Sequence, residues 1–562
     1  MQRWIWMGVF GVLGVTLVLG GLLVPAHLRA VDAAVIDQAG VDTRSVVEAG
    51  TSLLRLEKLG PARMLLQIAQ AENVAGHEKL GMAVTNFALA HASLEVLGGA
   101  DPVLENLLST GGLGLPSTNL PIIGLIQRQD YREKILDYLS LSRRPNVREV
   151  LQIRQLTHTV LFPPADSSSG RVFDAVIVLA GLLLQGDHFT PSLQDEILKL
   201  ALQAVQAGIS EPVERALLDL MSLGMRLNWA ELTLFVHPIE DVETLGQLAL
   251  LAREHEDHMA VLFAAVHWSG QPGAVVSYLR EFHQTGVQDL QYSLGCGLGG
   301  FKELLSLQAR VYYPVLRQHV VELNPFSTYF YAVLGWCRIT LWAALILKYL
   351  FLLAGGFLLA RAYQHAKPAV SVLEQPLQVP GLDPVRQVLA ALLFLLVISF
   401  LNEPFLAQES QQAEYPLQFA LPAAGDVVLP GTTQAPDSIM NQVALLSLLL
   451  FFVLQALLYV ACLVKLAEIR RQAVEPRIKL RLLENEDHLF DAGLYLGFVG
   501  TIIALILMSI GIVKPSLMAG YSSTSFGIIF VSILKIFHVR PLRRKLILES
   551  EPQVQERETP SV

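Results

Sequence analysis

A chain of 562 residues that is 52% hydrophobic and only 16% charged departs from ordinary soluble composition, in which about a quarter of residues are charged, and reads as a membrane protein. The net charge of -9 averages over compartments and says little about partners, but no basic patch with interleaved aromatics appears, so no nucleic-acid partner is expected. The three cysteines, Cys296, Cys337 and Cys462, are too far apart for a metal-ligand or disulfide spacing, and redox chemistry is not indicated.

Residues 1–26 hold one cation, Arg3, ahead of an apolar run over 4–24. Val24-Pro25-Ala26 suits signal-peptidase cleavage, while the run is also long enough to stay as a signal anchor, with Gly8, Gly11 and Gly14 available for helix packing. Either outcome exports the segment beyond residue 26. Residues 27–330 read as short amphipathic helices with polar breaks. Thr190-Pro191-Ser192 supplies a cap and a helix-compatible proline before Leu193, Ile197, Leu200, Ala201, Ala204 and Val205. Gly208 stops that helix, Ser210 caps the next, and Val213, Ala216, Leu217, Leu220 and Met221 carry the helical period to Gly224. Similar pieces lie at 242–252, 259–266 and 275–282. Helices of this length joined by short turns make hairpins, and stacked hairpins make an α-solenoid or an irregular bundle. No fixed repeat period appears.

Candidate chemistry in this domain is thin. His255 and His258, with His267 further on, could ligate a metal, but the HExxH spacing of zinc proteases is absent and a solvated helix end accounts for the run. Residues 167–170 and the glycines of 295–300 lack the Lys-Ser/Thr ending of a phosphate loop and read as turns. No nucleophile elbow, catalytic carboxylate pair or kinase set is present. No catalytic, cofactor-binding or metal-binding residue is assigned, and the chain is not read as an enzyme.

Further apolar runs lie at 339–360, 388–401, 443–464, 494–513 and 517–537, the last two joined by Lys514-Pro515. Flanking charge orients them. Arg361, Lys367 and Arg386 occupy the linker 361–386, and Lys465, Arg470, Arg471, Arg477, Lys479 and Arg481 come after the third run. Arg540, Arg543, Arg544 and Lys545 come after the last, whereas 402–440 contains no Lys or Arg but Glu403, Glu409, Glu414, Asp426 and Asp437. Basic connections face the cytoplasm, so 27–330 lies outside, in the periplasm of a bacterial inner membrane. The plan is then a signal anchor or signal peptide (1–26), a periplasmic α-helical domain (27–330) and two transmembrane helices (331–405) around the proline-containing linker 361–386. An acidic exported loop (406–440), a three-helix transmembrane domain (441–545) and a disordered cytoplasmic tail (546–562) complete it. The fold class is all-α: a polytopic helical membrane protein with a large exported solenoid- or bundle-like domain.

Lys348 is an intramembrane charge, about 15 Å along its helix from Arg338. It either faces protein or water, or snorkels to the outer interface. Gln455 reads as an interhelical hydrogen-bonding group. No Asp or Glu lies deep in any run, so a titrating carboxylate would have to come from another chain.

The last two runs are rich in small and hydroxylated residues, which belong where helices approach closely or something polar passes. Gly497-Phe498-Val499-Gly500-Thr501 and Ser523-Thr524-Ser525-Phe526-Gly527 resemble the paired helices of the MotA/TolQ/ExbB proton-channel family, and the run 443–464 matches the direction of that family's first helix. The resemblance implies a homo-oligomer, a pentamer around two single-span partner helices whose membrane aspartate faces the ring threonines, with proton flux doing mechanical work. Thr501, Thr524 and Ser523 would then line the pore. Counted from the Lys514-Pro515 turn, the two threonines differ in depth by about 6 Å. The chain departs from the family in its short cytoplasmic connection, its short outer turn, and Val531-Ser532-Ile533 where a proline is usual. Helix packing by Gly493, Gly497, Gly500 and Gly527 is the competing account of the same residues. Beside a third reading, an enzyme or transporter of unknown substrate, two functions are consistent with this pattern: a proton-channel or stator-like subunit coupled to a periplasmic helical domain, or a membrane-anchored helical-repeat scaffold without transport. Both contact membrane lipid and offer the helical domain to a periplasmic protein partner.

Overall fold

The computed structural model describes residues 2–104, 121–314, 317, 321, 326–366, 382–403, 442–472, 474–509 and 517–550. The chain divides into two compact units, Val31–Tyr313 and Met1–Ala30 with Pro314–Val562. Both are helical; the described strands are the three-residue segments Ala30–Asp32 and Arg310–Tyr312, which pair.

In Val31–Tyr313 the interior belongs to helices that are apolar on every side. Arg171–Gln185 is buried at every position from Phe173 to Leu184, and Met259–Ser269 from Met259 to Val266. A helix without a polar face has nothing to offer water and goes inside. Amphipathic helices such as Val46–Arg55, Glu211–Gly224 and Val242–Glu254 surround them. Wholly enclosed helices make this unit bundle-like, since in an open solenoid each repeat contacts only its neighbours.

The expected hairpin is present. Thr190 Oγ1 accepts the Leu193 N–H at 3.3 Å, and Gly208 closes Pro191–Ala207 at φ 71°. Ser210 makes no side-chain cap to the next helix. Its neighbour Glu214 is fully buried instead and accepts the backbone N–H groups of Val160, Leu161 and Phe162 at 2.9, 2.6 and 3.0 Å. The glycines of 295–300 do more than turn the chain. A Cβ on Gly299 would lie 2.1 Å from Ala39 O, and one on Gly40 2.1 Å from Cys296 O, so helix Ala33–Gly40 rests directly on its neighbours' backbone. Only Gly297, at φ 110°, is there for the turn.

Among the described residues, five helices of the second unit are long and apolar enough to cross a membrane: Trp4–Leu22, Leu341–Ala366, Pro384–Asn402, Leu448–Arg471 and Ser522–Ser550, with a shorter apolar stretch at Ala492–Ile502. The N-terminal helix lies along Leu341–Ala366. A Cβ on Gly14 would meet Gly355 O at 3.2 Å, and one on Gly21 would meet Lys348 O at 3.1 Å, whereas Gly8 and Gly11 touch nothing. Packing therefore uses Gly14 and Gly21 rather than the whole predicted set. The helix Phe326–Ile339 was not anticipated. It sets Val333 and Cys337 against Val24, Ala26, Ala344 and Leu345 and leaves Tyr331 and Trp336 exposed, as is Trp342 just beyond it, aromatics of the kind enriched at membrane–water interfaces.

The last helix runs from Leu517–Ile533 through a π-helical turn, Leu534–Val539, into Arg540–Ser550. It thus enters the segment 546–562 read as tail. The connection after Gln442–Arg471 is ordered by Pro476–Asn485 and Asp487–Phe490, whose Leu483 and Phe490 share a core with Leu466, Ile469, Leu534 and Val539. The Lys514-Pro515 turn, the loop 406–440, most of the linker 361–386 and residues 551–562 lie outside the described residues.

Candidate functional site

Helices Ala492–Ser509 and Leu517–Ile533 cross at the distance that glycine allows. A Cβ on Gly497 would lie 2.8 Å from Ser523 O, one on Gly500 2.6 Å from Ser523 Oγ, and one on Gly527 2.6 Å from Gly493 O. Gln455, on Gln442–Arg471, donates its Nε2 to Gly493 O at 3.0 Å, as its sequence position suggested. Such contact brings the two threonines together: Thr501 Oγ1 and Thr524 Oγ1 share a hydrogen bond. Gly497 O lies 3.0 and 3.2 Å from the two oxygens, so with one proton apiece one hydroxyl donates to the other and the second donates to the carbonyl. The depth offset counted from the turn is not seen at the hydroxyls. Ser523 is buried and faces Gly500 inside the helix pair. All the predicted pore-lining and packing residues therefore meet at one crossing, and only Lys348 lies elsewhere.

Just past the crossing, Lys535 in the π-helical turn pairs with Asp491 at 2.8 Å and Asp487 at 3.4 Å. His538 Nε2 meets Tyr459 OH at 3.0 Å. A π-turn inserts a residue and rotates the helix beyond it, which aims Lys535 and His538 at different neighbours.

Lys348 does not snorkel. It is buried, and its Nζ donates to Glu403 Oε1 at 2.6 Å and to Ala26 O at 2.7 Å, with His27 Nδ1 at 3.4 Å. Tyr349 OH also donates to Glu403 Oε1 at 3.0 Å, and the Leu28 N–H donates to Oε2 at 2.9 Å. Neither charge of the pair reaches solvent, since the side chains are 1% and 0% exposed. Three segments supply the groups: residues 26–28, which come after the N-terminal helix Gln2–Leu22, the Leu341–Ala366 helix, and the residue following Leu382–Asn402. A buried lysine and carboxylate are tolerable only when paired and fully hydrogen-bonded, and this one meets that condition.

Glu403, His27 and Tyr349 were missed in the sequence. Glu403 was counted as part of an acidic exported loop, because a carboxylate just past an apolar run looks solvated. The available signal was antiparallel geometry: Lys348 lies about 10 Å inside its helix, and the next helix returns to end near that level.

In the helical unit, His267 stacks on Phe263 at 5.8 Å, and burial holds its pKa below the ordinary histidine value. No cluster of three His, Cys, Asp or Glu suited to a metal occurs among the described residues. Burial pushes the Cys296 thiol up, reinforced by the hydrogen bond to Asp37, which suppresses the reactive thiolate. Comparison with protein-family models, curated proteins and solved structures finds no match.

Proposed function

We propose that this chain is a subunit of a proton-conducting, stator-like complex of the bacterial inner membrane, with Val31–Tyr313 as its periplasmic domain. The coarse part, a multi-span helical protein with a large helical domain, is stated by the fold. The observation that supports the finer part is the meeting of Thr501 and Thr524 hydroxyls across a glycine-lined helix pair. Hydroxyls accept and donate at the same atom, so a pair of them can hand a proton to or from a carboxylate without becoming charged. The crossing holds no Asp or Glu of its own, so a partner helix would bring the titrating aspartate, its charged form disfavoured by burial.

A second reading, an anchored scaffold without transport, is favoured by one specific observation. Gly497 O lies within hydrogen-bond reach of both hydroxyls, and the bond from Thr501, four residues on, is how threonine satisfies itself inside its own membrane helix. Proton flux through the chain reconstituted with its co-purified partners separates the two. Thr501→Val removes a hydroxyl at constant shape and should abolish flux while leaving the assembly's mass unchanged, with Thr501→Ser tolerated. Absence of flux in the unaltered complex, or a Thr501→Val variant that only falls apart, leaves the scaffold. The orientation is checked with single cysteines at Gln412 and Gln472, which should label from opposite sides with an impermeant reagent.

A further inference from the structure

Helices Pro476–Asn485 and Arg540–Ser550 pack on each other at one end of the membrane unit, where the chain leaves one apolar helix at Arg471 and enters the next at Ala492. Most acids there are spent on particular cations: Glu484 on Arg543 at 3.0 Å, Glu549 on Lys545 at 3.8 Å, and Glu468 on Lys465 at 3.3 Å. Arg477, Arg481, Arg540 and Arg544 are left over. All four are exposed, and among the described residues no carboxylate pairs with them. Of the acids described in 465–550, only Glu475 is likewise unpaired. The arginines form two pairs, 477 with 481 and 540 with 544, and residues four apart share a helix face. Each helix buries a leucine, Leu483 or Leu546, on its other side. Beside the arginines stand aliphatic residues that the fold leaves open: Ile478 is 47% exposed, Ile547 40% and Leu548 59%.

We propose that the two arginine pairs form a collar that binds anionic phospholipid headgroups around this end of the bundle. Arginine mixed with exposed isoleucine and leucine is the composition of helices that rest against headgroups, and a fully solvated face would not carry the aliphatic residues. The depth agrees. Arg540 lies about 5 Å of helix rise beyond Phe537, the last residue of its apolar run, and the headgroup layer is roughly 5–8 Å thick. Arg544 is one turn further and reaches back along its own stem. Clustered cations directly beyond a span attract anionic lipid, and the unpaired charge here exceeds the unpaired acid, so a net anionic headgroup is favoured over a zwitterionic one. Lipid is already beside these residues at that depth, so no further protein is needed to cover Ile478, Ile547 and Leu548. The inference rests on the spans alone and is independent of the proton-channel reading.

The test is native mass spectrometry of the full-length chain in mild detergent, titrated with phosphatidylglycerol and phosphatidylcholine of matched acyl chains. The unaltered chain should retain phosphatidylglycerol about fivefold better, the factor that one Arg contact at a membrane surface supplies. Arg540→Gln with Arg544→Gln should reduce the preference, and adding Arg477→Gln and Arg481→Gln should equalise the two lipids. The four Arg→Lys changes together should keep most of it. Arg543→Gln with Lys545→Gln removes two charges from the same helix, but paired ones, and should leave the preference as it was. Equal retention by the unaltered chain, an undiminished preference in the fourfold Gln variant, or the same loss from the paired as from the unpaired positions would overturn the collar and leave only annular lipid.

Discussion

The helical unit and the membrane bundle both bury charge, and they do so by different means. In Val31–Tyr313 buried carboxylates are held by groups that need not be matched one to one. Glu214 takes three backbone N–H groups, and Asp174, on the central helix, takes Arg132 at 2.9 Å and Arg154 at 2.6 Å. In the bundle Lys348 and Glu403 are matched to each other, and every further partner is specific in place. A water-facing unit can leave an arginine half-exposed, as Arg154 is. Hydrocarbon offers no such relief. Close helix approach, by contrast, is solved identically in both: Gly299 against Ala39 O, and Gly527 against Gly493 O. Glycine therefore reports a tight crossing whatever the compartment, while the way a charge is paired reports the surroundings.

The sharpest way to break this comparison is to unpair the bundle. Lys348→Met leaves Glu403 buried without its cation and should cost about 3–5 kcal/mol, read as lost folded protein or lowered Tm in detergent. The double variant Lys348→Met with Glu403→Gln should recover much of that loss. Strict additivity of the two single changes would mean that the residues do not act as a pair.

Glycine equivalence is tested next. Gly299→Ala and Gly527→Ala each drive a methyl group onto backbone oxygen, at 2.1 and 2.6 Å, and each should cost about 1–3 kcal/mol. A Gly527→Ala chain of unaltered stability would separate the bundle's glycines from those of the helical unit.

Glu214→Gln should cost about 1–3 kcal/mol through its backbone partners. Burial raises the Glu214 pKa, but the hydrogen bonds from Ser210 and from Val160, Leu161 and Phe162 outweigh it and hold the group below the ordinary glutamate value. Its contribution is therefore complete above that ordinary value and is lost as pH falls through the lower folded one. Acid melting curves of the full chain should lose this component in the variant.

A pH-dependent effect is expected at Glu231, which closes a capping box with Asn228 through bonds of 3.0 Å in both directions. Burial pushes its pKa up from 4.5 to about 7, against the pull of the Asn228 hydrogen bonds. Stability linked to this group is complete below 4.5 and fades as pH rises to about 7. Glu231→Gln should flatten the Tm profile over that window, and an unchanged slope would assign it to other groups.

Helical class and the apolar spans were legible in the chain because composition and hydrophobic period are local properties. The Thr190 cap, the Gly208 stop and the Gln455 hydrogen bond were legible for the same reason. Tertiary structure decided which residues share a site. Glu403 looks like loop acid until the returning helix brings it to Lys348, and Val24-Pro25-Ala26 looks like a processing site until Ala26, with His27 and Leu28 beyond it, closes that network. The glycines of 295–300 look like a turn until another helix lies on them. Each of these depends on contacts between segments far apart in sequence, where hydrogen-bond geometry and close packing act and no local pattern records the partner.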